Sequence, residues 1–178
     1  MKTVELYWGM LFKGLSDASD GAKNIRQNVL GGKLVGFNKK NGTEFLSNFH
    51  PSTISFEGKL YPTVEHAYQA SKTLNQETRE LIKKSRSPWD AKKMGRSIVL
   101  RDDWNEVKVE IMRKLVREKF ENPFLRCQLL ETHDLELINE NRWNDRFFGM
   151  TGGVGENWLG KILEEVRKQA REDDSNET

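Results

Sequence analysis

A carboxylate, an amide and an amine recur at i, i+4 and i+7 in the stretch Tyr61-Pro62-Thr63-Val64-Glu65-His66-Ala67-Tyr68-Gln69-Ala70-Ser71-Lys72. On a helix this spacing puts Glu65, Gln69 and Lys72 on one face, with the Tyr68 phenol beside them and the His66 imidazole in the same turn. Such a mixture can stabilise a cation, orient a substrate and hold an anion. It can equally be a solvated charged face with a weak pair energy, and spacing alone leaves both readings open. Glu65 falls in the first helical turn, where free N–H groups and the helix dipole favour its ionised form. That placement suits a general base or a cation stabiliser better than an acid.

A second cluster runs from Asn144 and Asp145 through Phe148, Gly149, Gly152, Gly153 and Gly155 to Asn157. Its glycines match neither the dinucleotide fingerprint nor the P-loop, and no lysine-serine pair follows them. A glycine-rich loop that enters a helix at Asn157 or Trp158 can still present N–H groups to a phosphate, or it can be simply a loop. In Phe45-Leu46-Ser47-Asn48-Phe49 the aromatics read as core, while Ser47 and Asn48 can orient a sugar or a base. Lys92, Lys93 and Arg96 form a short basic run, either a solvated face or a phosphate holder. The three histidines, His50, His66 and His133, show no paired metal spacing, so no metal is expected. No Ser-His-Asp or Cys-His arrangement supports an acyl-enzyme route.

The elements that must position these groups can be read from the same chain. Its 178 residues, 36% of them hydrophobic, suffice for one domain with a core. The formal net charge of +2 does not suggest a protein that coats nucleic acid. Cys127, the only cysteine, excludes an internal disulfide and reads as a buried thiol on a helix. The N-terminus is charged too soon for a signal peptide and no apolar stretch approaches a membrane span, so a soluble, cytoplasmic setting is expected. Residues 1–34 are expected to form an extension of uncertain structure, 35–170 the domain that carries the candidate groups, and 171–178 a polar tail.

Short strands are expected only near the start of the domain, at Leu34–Phe37 and Ser52–Phe56, with turns at Asn41-Gly42 and at Glu57-Gly58-Lys59. Helices follow. Thr63 caps the first, Ser87-Pro88 opens another that ends at Gly95, and Asp103-Trp104 opens the longest, which Asn122-Pro123 stops. Further helices are expected at Phe124–Glu131, at Leu135–Glu140 and from Trp158 onward. The fold class is α+β, mostly helical, in a single domain.

Taken in order, these stretches resemble the NADAR family, also called YbiA-like proteins. The resemblance is carried by Phe45-Leu46-Ser47-Asn48-Phe49, Tyr61 to Lys72, Ala91-Lys92-Lys93-Met94-Gly95-Arg96, Trp104, Lys108 to Arg113, Lys119-Phe120, Asn144-Asp145, Gly149 and Asn157 to Leu163. It covers about residues 35–168. One departure is Phe148 before Gly149, where the family usually has tryptophan; a second is a slightly shorter glycine loop. The aromatic surface is kept and an indole donor is lost.

The resemblance implies an N-glycosidase acting on the bond between ribose C1′ and an amine. The substrate class would be ADP-ribosylated guanine, free or in DNA, or a ribosylaminopyrimidine phosphate of riboflavin biosynthesis. No cofactor is implied. Glu65 would stabilise the sugar cation or activate water, and Asp145 would share that role or orient the ribose hydroxyls. Lys72 would act either as a charge or, if neutral, as an amine that captures the opened sugar. Tyr68 and Phe148 would stack on the base, and Arg96 with the loop at Gly152 and Gly153 would hold phosphate. Ser47, Asn48, His66, Gln69, Gly149 and Asn157 complete the expected binding set. The competing reading is a non-catalytic module that binds ADP-ribose or a modified base. Partners would be a small nucleotide or ADP-ribosylated nucleic acid, with no membrane.

Overall fold

A computed structural model describes residues 29–176. Most of the expected N-terminal extension, 1–34, lies outside the described residues. Strands β1 (Val29–Leu30) and β2 (Lys33–Val35) form a hairpin. Strand β2 also pairs in parallel with β5 (Glu136–Ile138), in the register Lys33–Glu136, Leu34–Leu137 and Val35–Ile138. A helix expected over Leu135–Glu140 is therefore a strand, and strands are not confined to the first part of the domain. Leu135 and Ile138 share the spacing of a helical stripe, but three residues are too few to fix a period, and pairing with β2 decides it.

The second hairpin joins β3 (Ile54–Phe56) to β4 (Lys59–Tyr61). Its turn residues Glu57 and Gly58 both have positive φ, 48° and 73°, the backbone a two-residue hairpin loop of matching twist requires. At the expected turn of Asn41-Gly42, a short 3₁₀ segment, Lys39–Asn41, ends on Gly42 at φ 65°.

Helix α1 (Val64–Ser71) follows β4 directly, and the Thr63 hydroxyl caps it by accepting the His66 N–H. All eight of its residues are buried. Helix α2 (Gln76–Lys83) buries only Arg79 and Ile82, so its sequence carries no apolar stripe. Helix α3 (Pro88–Met94) has its Ser87 cap, and α4 (Trp104–Phe120) turns Ile111, Met112, Leu115, Val116 and Phe120 inward. Helices α5 (Pro123–Leu130) and α6 (Trp158–Asn176) complete the order. Helix α1 packs among α2, α3 and α4, and α4 packs against α6. Cys127 is half-buried on α5, and burial pushes its thiol pKa up. No helix among the described residues is long and apolar enough to cross a membrane.

The core joins these layers through Leu34, Leu46, Ile54, Leu115, Leu137 and Ile162, each fully enclosed. Where α6 meets β5 the approach is very close. A Cβ on Gly160 would lie 1.9 Å from the Leu137 carbonyl oxygen, which is backbone and cannot step aside. Gly160→Ala is expected to destabilise the fold by about 1–3 kcal/mol, the usual range for overpacking. Urea unfolding checks this, and a midpoint equal to that of the parent contradicts it.

Candidate active site

A cavity of about 660 Å³ opens beside α1. Its walls come from the loop Phe37–Pro51, from α1, from α3 and from the segment Asn139–Phe148, with Met112 of α4 and Leu159 of α6 behind them. Every wall is tied to another. The Glu65 N–H donates to the Asn48 carbonyl at 3.0 Å, and the Asn48 side-chain amide reaches the Met112 sulfur. On the far side Asn157 crosslinks β5: its Nδ2 donates to the Leu137 carbonyl at 2.8 Å, and its Oδ1 accepts the Asn139 N–H at 3.0 Å.

Glu65 lines the cavity at 4% exposure. Its Oε1 accepts a hydrogen bond from Gln69 Nε2 at 2.8 Å and stands 3.7 Å from the Lys92 ammonium. Burial raises its pKa above the ordinary carboxylate value, and Lys92, Gln69 and Lys72 oppose that rise. The helix terminus was expected to favour the ionised form, but loss of water outweighs it here. Gln69 is locked in turn, since a Cβ on Gly95 would lie 1.9 Å from its Oε1. Glycine at 95 thus lets α3 approach the cavity-lining face of α1.

Lys72 ends that face. Its amine reaches toward the Gly95 carbonyl at 3.5 Å and lies over the rings of Tyr68 and Trp104 at 5.6 and 5.9 Å. Burial lowers its pKa below the lysine norm, against the pull of Glu65. Burial thus moves both groups toward their neutral forms, Glu65 upward and Lys72 downward, a perturbation by desolvation and charge partners in a cleft that marks a candidate site. Asp145 sits in the loop that closes the cavity, where its Oδ1 accepts the N–H groups of Phe147 and Phe148 at 3.1 and 2.9 Å. Its charge acts on Glu65, Lys72 and Tyr68.

Of the residues expected from the sequence, Glu65, Lys72, Asp145, Ser47, Asn48, Tyr68, Gln69, Arg96 and Phe148 line the one cavity. Five do not. His66 bridges Thr63 Oγ1 at 2.8 Å and the Ser85 carbonyl at 3.4 Å, so it braces the start of α1. A Cβ on Gly149 would meet Asn139 O at 2.4 Å, which makes it a packing residue. Gly152 and Gly153 occupy an exposed turn, where the Gly152 N–H donates to Glu140, and Asn157 is the crosslink already described. Tyr68 and Phe148 are themselves 6% and 8% exposed and meet edge to face at 5.3 Å. They form a wall rather than an open stacking surface.

Trp89 and Trp143, which the sequence reading passes over, also face the cavity, as does Lys92 of the basic run, and Phe49, expected in the core, lines the cavity instead. The signal lay in composition, since each tryptophan is flanked by polar, turn-forming residues, Ser87-Pro88 and Asp90 or Asn141-Arg142 and Asn144. A large aromatic there has no periodic stripe to join, which points to a surface role.

Lys119 supports the site from below. It is 2% exposed, and its amine donates to the Ser47 carbonyl at 2.8 Å. Burial brings its pKa down from 10.5 to about 7. The unfolded chain then holds this proton up to 10.5 while the folded one releases it near 7, so folding stability is fullest above 10.5, falls as pH drops toward 7 and is level below. The expected stability difference across that window is a few kcal/mol. Urea titrations across the window check it: the slope flattens in Lys119→Met, and an equal slope in both proteins contradicts the assignment.

The sequence matches the NADAR domain over residues 36–171, and the chain belongs to that family. N-glycosidase YbiA of Escherichia coli is 44% identical over 127 residues, which is 69% of this chain and 79% of that protein. Riboflavin biosynthesis protein VVA0006 of Vibrio vulnificus is 36% identical over 153 residues, 84% of this chain but 41% of that longer protein. The NMR structure of the E. coli protein YbiA superposes with a TM-score of 0.71 at 38% identity, covering 83% of this chain and 90% of that one. The mostly helical α+β fold is thus shared with it.

Proposed function

We infer that the chain is an N-glycosidase, a hydrolase that opens the bond between ribose C1′ and an amine. Its substrate is guanine carrying ADP-ribose, free or in DNA, or a ribosylaminopyrimidine phosphate. One observation carries the reading: Glu65, a carboxylate held from water, faces Lys72, Lys92 and Arg96 in a cavity of nucleotide size. The relatives named as an N-glycosidase and as a riboflavin biosynthesis protein support it.

Cleavage of such a bond builds positive charge at C1′ and negative charge on the departing nitrogen. Glu65 is the group that meets the first, or that takes a proton from attacking water. Asp145, fixed through one oxygen by two backbone N–H groups, orients the ribose hydroxyls or shares the charge. Arg96 and Lys92 serve the phosphate, a task the Gly152-Gly153 turn is not placed to perform. Burial lowers the Lys72 pKa and so favours the neutral amine that capture of C1′ requires.

The test is direct incubation of the purified protein with guanine-ADP-ribosylated DNA and with a ribosylaminopyrimidine phosphate, followed by mass spectrometry. Sugar release from either establishes the activity and names the substrate class. Retention of both, bound but intact, replaces the enzyme by a binding module.

A further inference from the structure

Lys92 reaches Glu65 from a different helix, and aromatic rings surround it on the way. It lies on α3 three residues after Trp89, so the two side chains are neighbours on one helix face. Its ammonium lies over the ring of Trp143, 5.0 Å from the centroid, and over that of Phe49 at 5.6 Å, and it stands 3.7 Å from the Glu65 carboxylate. Both ring distances fall within the reach of a cation–π contact, about 6 Å from the ring centre. Among the described residues, Glu65 holds the only carboxylate within ion-pair distance of Lys92.

The rings also hold one another. Phe49 and Trp143 stack with planes 9° apart and centroids 6.4 Å apart, and Trp89 meets each of them edge to face, at 5.2 and 5.5 Å. None of the three belongs to the buried core cluster or is among the side chains packed on it. Trp89 is 49% exposed and Trp143 40%, whereas the Lys92 side chain is 15% exposed. The cluster thus covers a lysine better than it covers itself, the reverse of the usual order for lysine and tryptophan.

A ring face suits this position because of what lies beside it. Burial raises the Glu65 pKa and the Asp145 charge adds to the rise, while Lys92 is first among the groups that lower it, ahead of Gln69 and Lys72. A carboxylate anchor for Lys92 would bring a further negative charge close to Glu65 and cancel part of the lysine's field. Phe49 and Trp143 attract the ammonium through the electron-rich faces of their rings and add no net charge. The field of Lys92 at Glu65 is then left whole.

We propose that Phe49 and Trp143, steadied by Trp89, are positioning residues whose ring faces hold the Lys92 ammonium against Glu65 and so keep that carboxylate ionised for the substrate. The rings act on the chemistry through the lysine, without touching the reacting atoms. The use made of Glu65 rests on the N-glycosidase reading, but the clamp itself belongs to the protein without substrate.

The test is a carbon-13 NMR titration of the Glu65 carboxyl in protein without substrate, its signal assigned by its loss in Glu65→Gln. Trp143→Ala and Phe49→Leu move the Glu65 titration to higher pH, because a lysine free to swing away lowers the pKa less, and Lys92→Met moves it further. Trp143→Phe keeps a ring face and titrates with the parent. In a Lys92→Met background, Trp143→Ala adds no shift of its own. In turnover measurements the acid limb of the pH profile moves in the same order. An equal shift from Trp143→Ala with and without Lys92 overturns the proposal, since the ring would then act through its loop and Asp145. No shift in Trp143→Ala and Phe49→Leu overturns it as well, because the rings would not govern the lysine. If the parent cleaves neither substrate, the N-glycosidase reading fails, while the carboxyl titration still decides the clamp.

Discussion

Glu65→Gln loses turnover by about 10²–10⁴-fold, and the loss lies in kcat. Glutamine keeps the volume and retains an oxygen for the Gln69 amide, so α1 need not move. What it removes is the negative charge facing C1′ as the bond breaks. The folded state should survive, because the change takes a desolvated charge out of the interior and leaves Lys92, whose side chain is 15% exposed, able to reach water. Parent and variant are compared by single-turnover kinetics and by thermal unfolding. Unaltered turnover in a normally folded variant removes Glu65 from the mechanism. In the parent, the acid limb of the pH profile should lie above the ordinary carboxylate range, since burial raises the Glu65 pKa and only its ionised form serves.

Borohydride added during turnover should leave the sugar on Lys72. The glycosylamine ring opens to an iminium at C1′, the neutral Lys72 amine adds there, and the aglycone amine departs with a proton. The resulting Schiff base is hydrolysed by water, which returns the amine and frees the sugar, or is reduced by borohydride to a stable secondary amine. Desolvation supplies the neutral amine by lowering the Lys72 pKa, so the rate should climb as pH rises through a value below the lysine norm. Peptide mapping by mass spectrometry locates the adduct. In Lys72→Arg no adduct forms and turnover falls by about two orders of magnitude or more, the scale of a lost catalytic group. Full turnover by the parent with no adduct assigns Lys72 an electrostatic role.

Much of this site was legible because α1 announces itself. Thr63 caps it, and the Glu65, Gln69 and Lys72 spacing places three functions on one stripe whatever surrounds the helix. The helices opened by Ser87-Pro88 and Asp103-Trp104 carry equally local signals. What the spacing left open was whether the stripe met solvent or a cavity, and that depends on α3 coming close enough at Gly95, a contact between distant segments. Strand β5 was misread for the same reason: three residues hold no period of their own, and the partner that makes them a strand lies a hundred residues earlier at Lys33–Val35. Asn157 and Gly149 were legible as unusual residues but not as brackets, because their roles are defined by Leu137 and Asn139 across the chain. Trp89 and Trp143 reach the same cavity only because the start of α3 and the loop at Trp143 come together.

Helix α1 has no face left over. Its eight residues are all enclosed, so the candidate site residues it carries also fill the interior, and Gln69 serves Glu65 and the α3 contact with one side chain. A substitution there changes reactivity and folding at once, which makes this helix a poor place for descent with modification or for a mutant library. The exposed tryptophans are under no such double constraint. Change in what the cavity accepts is most easily reached at exposed lining residues such as Trp89 and Trp143, with the buried helix passed on unchanged.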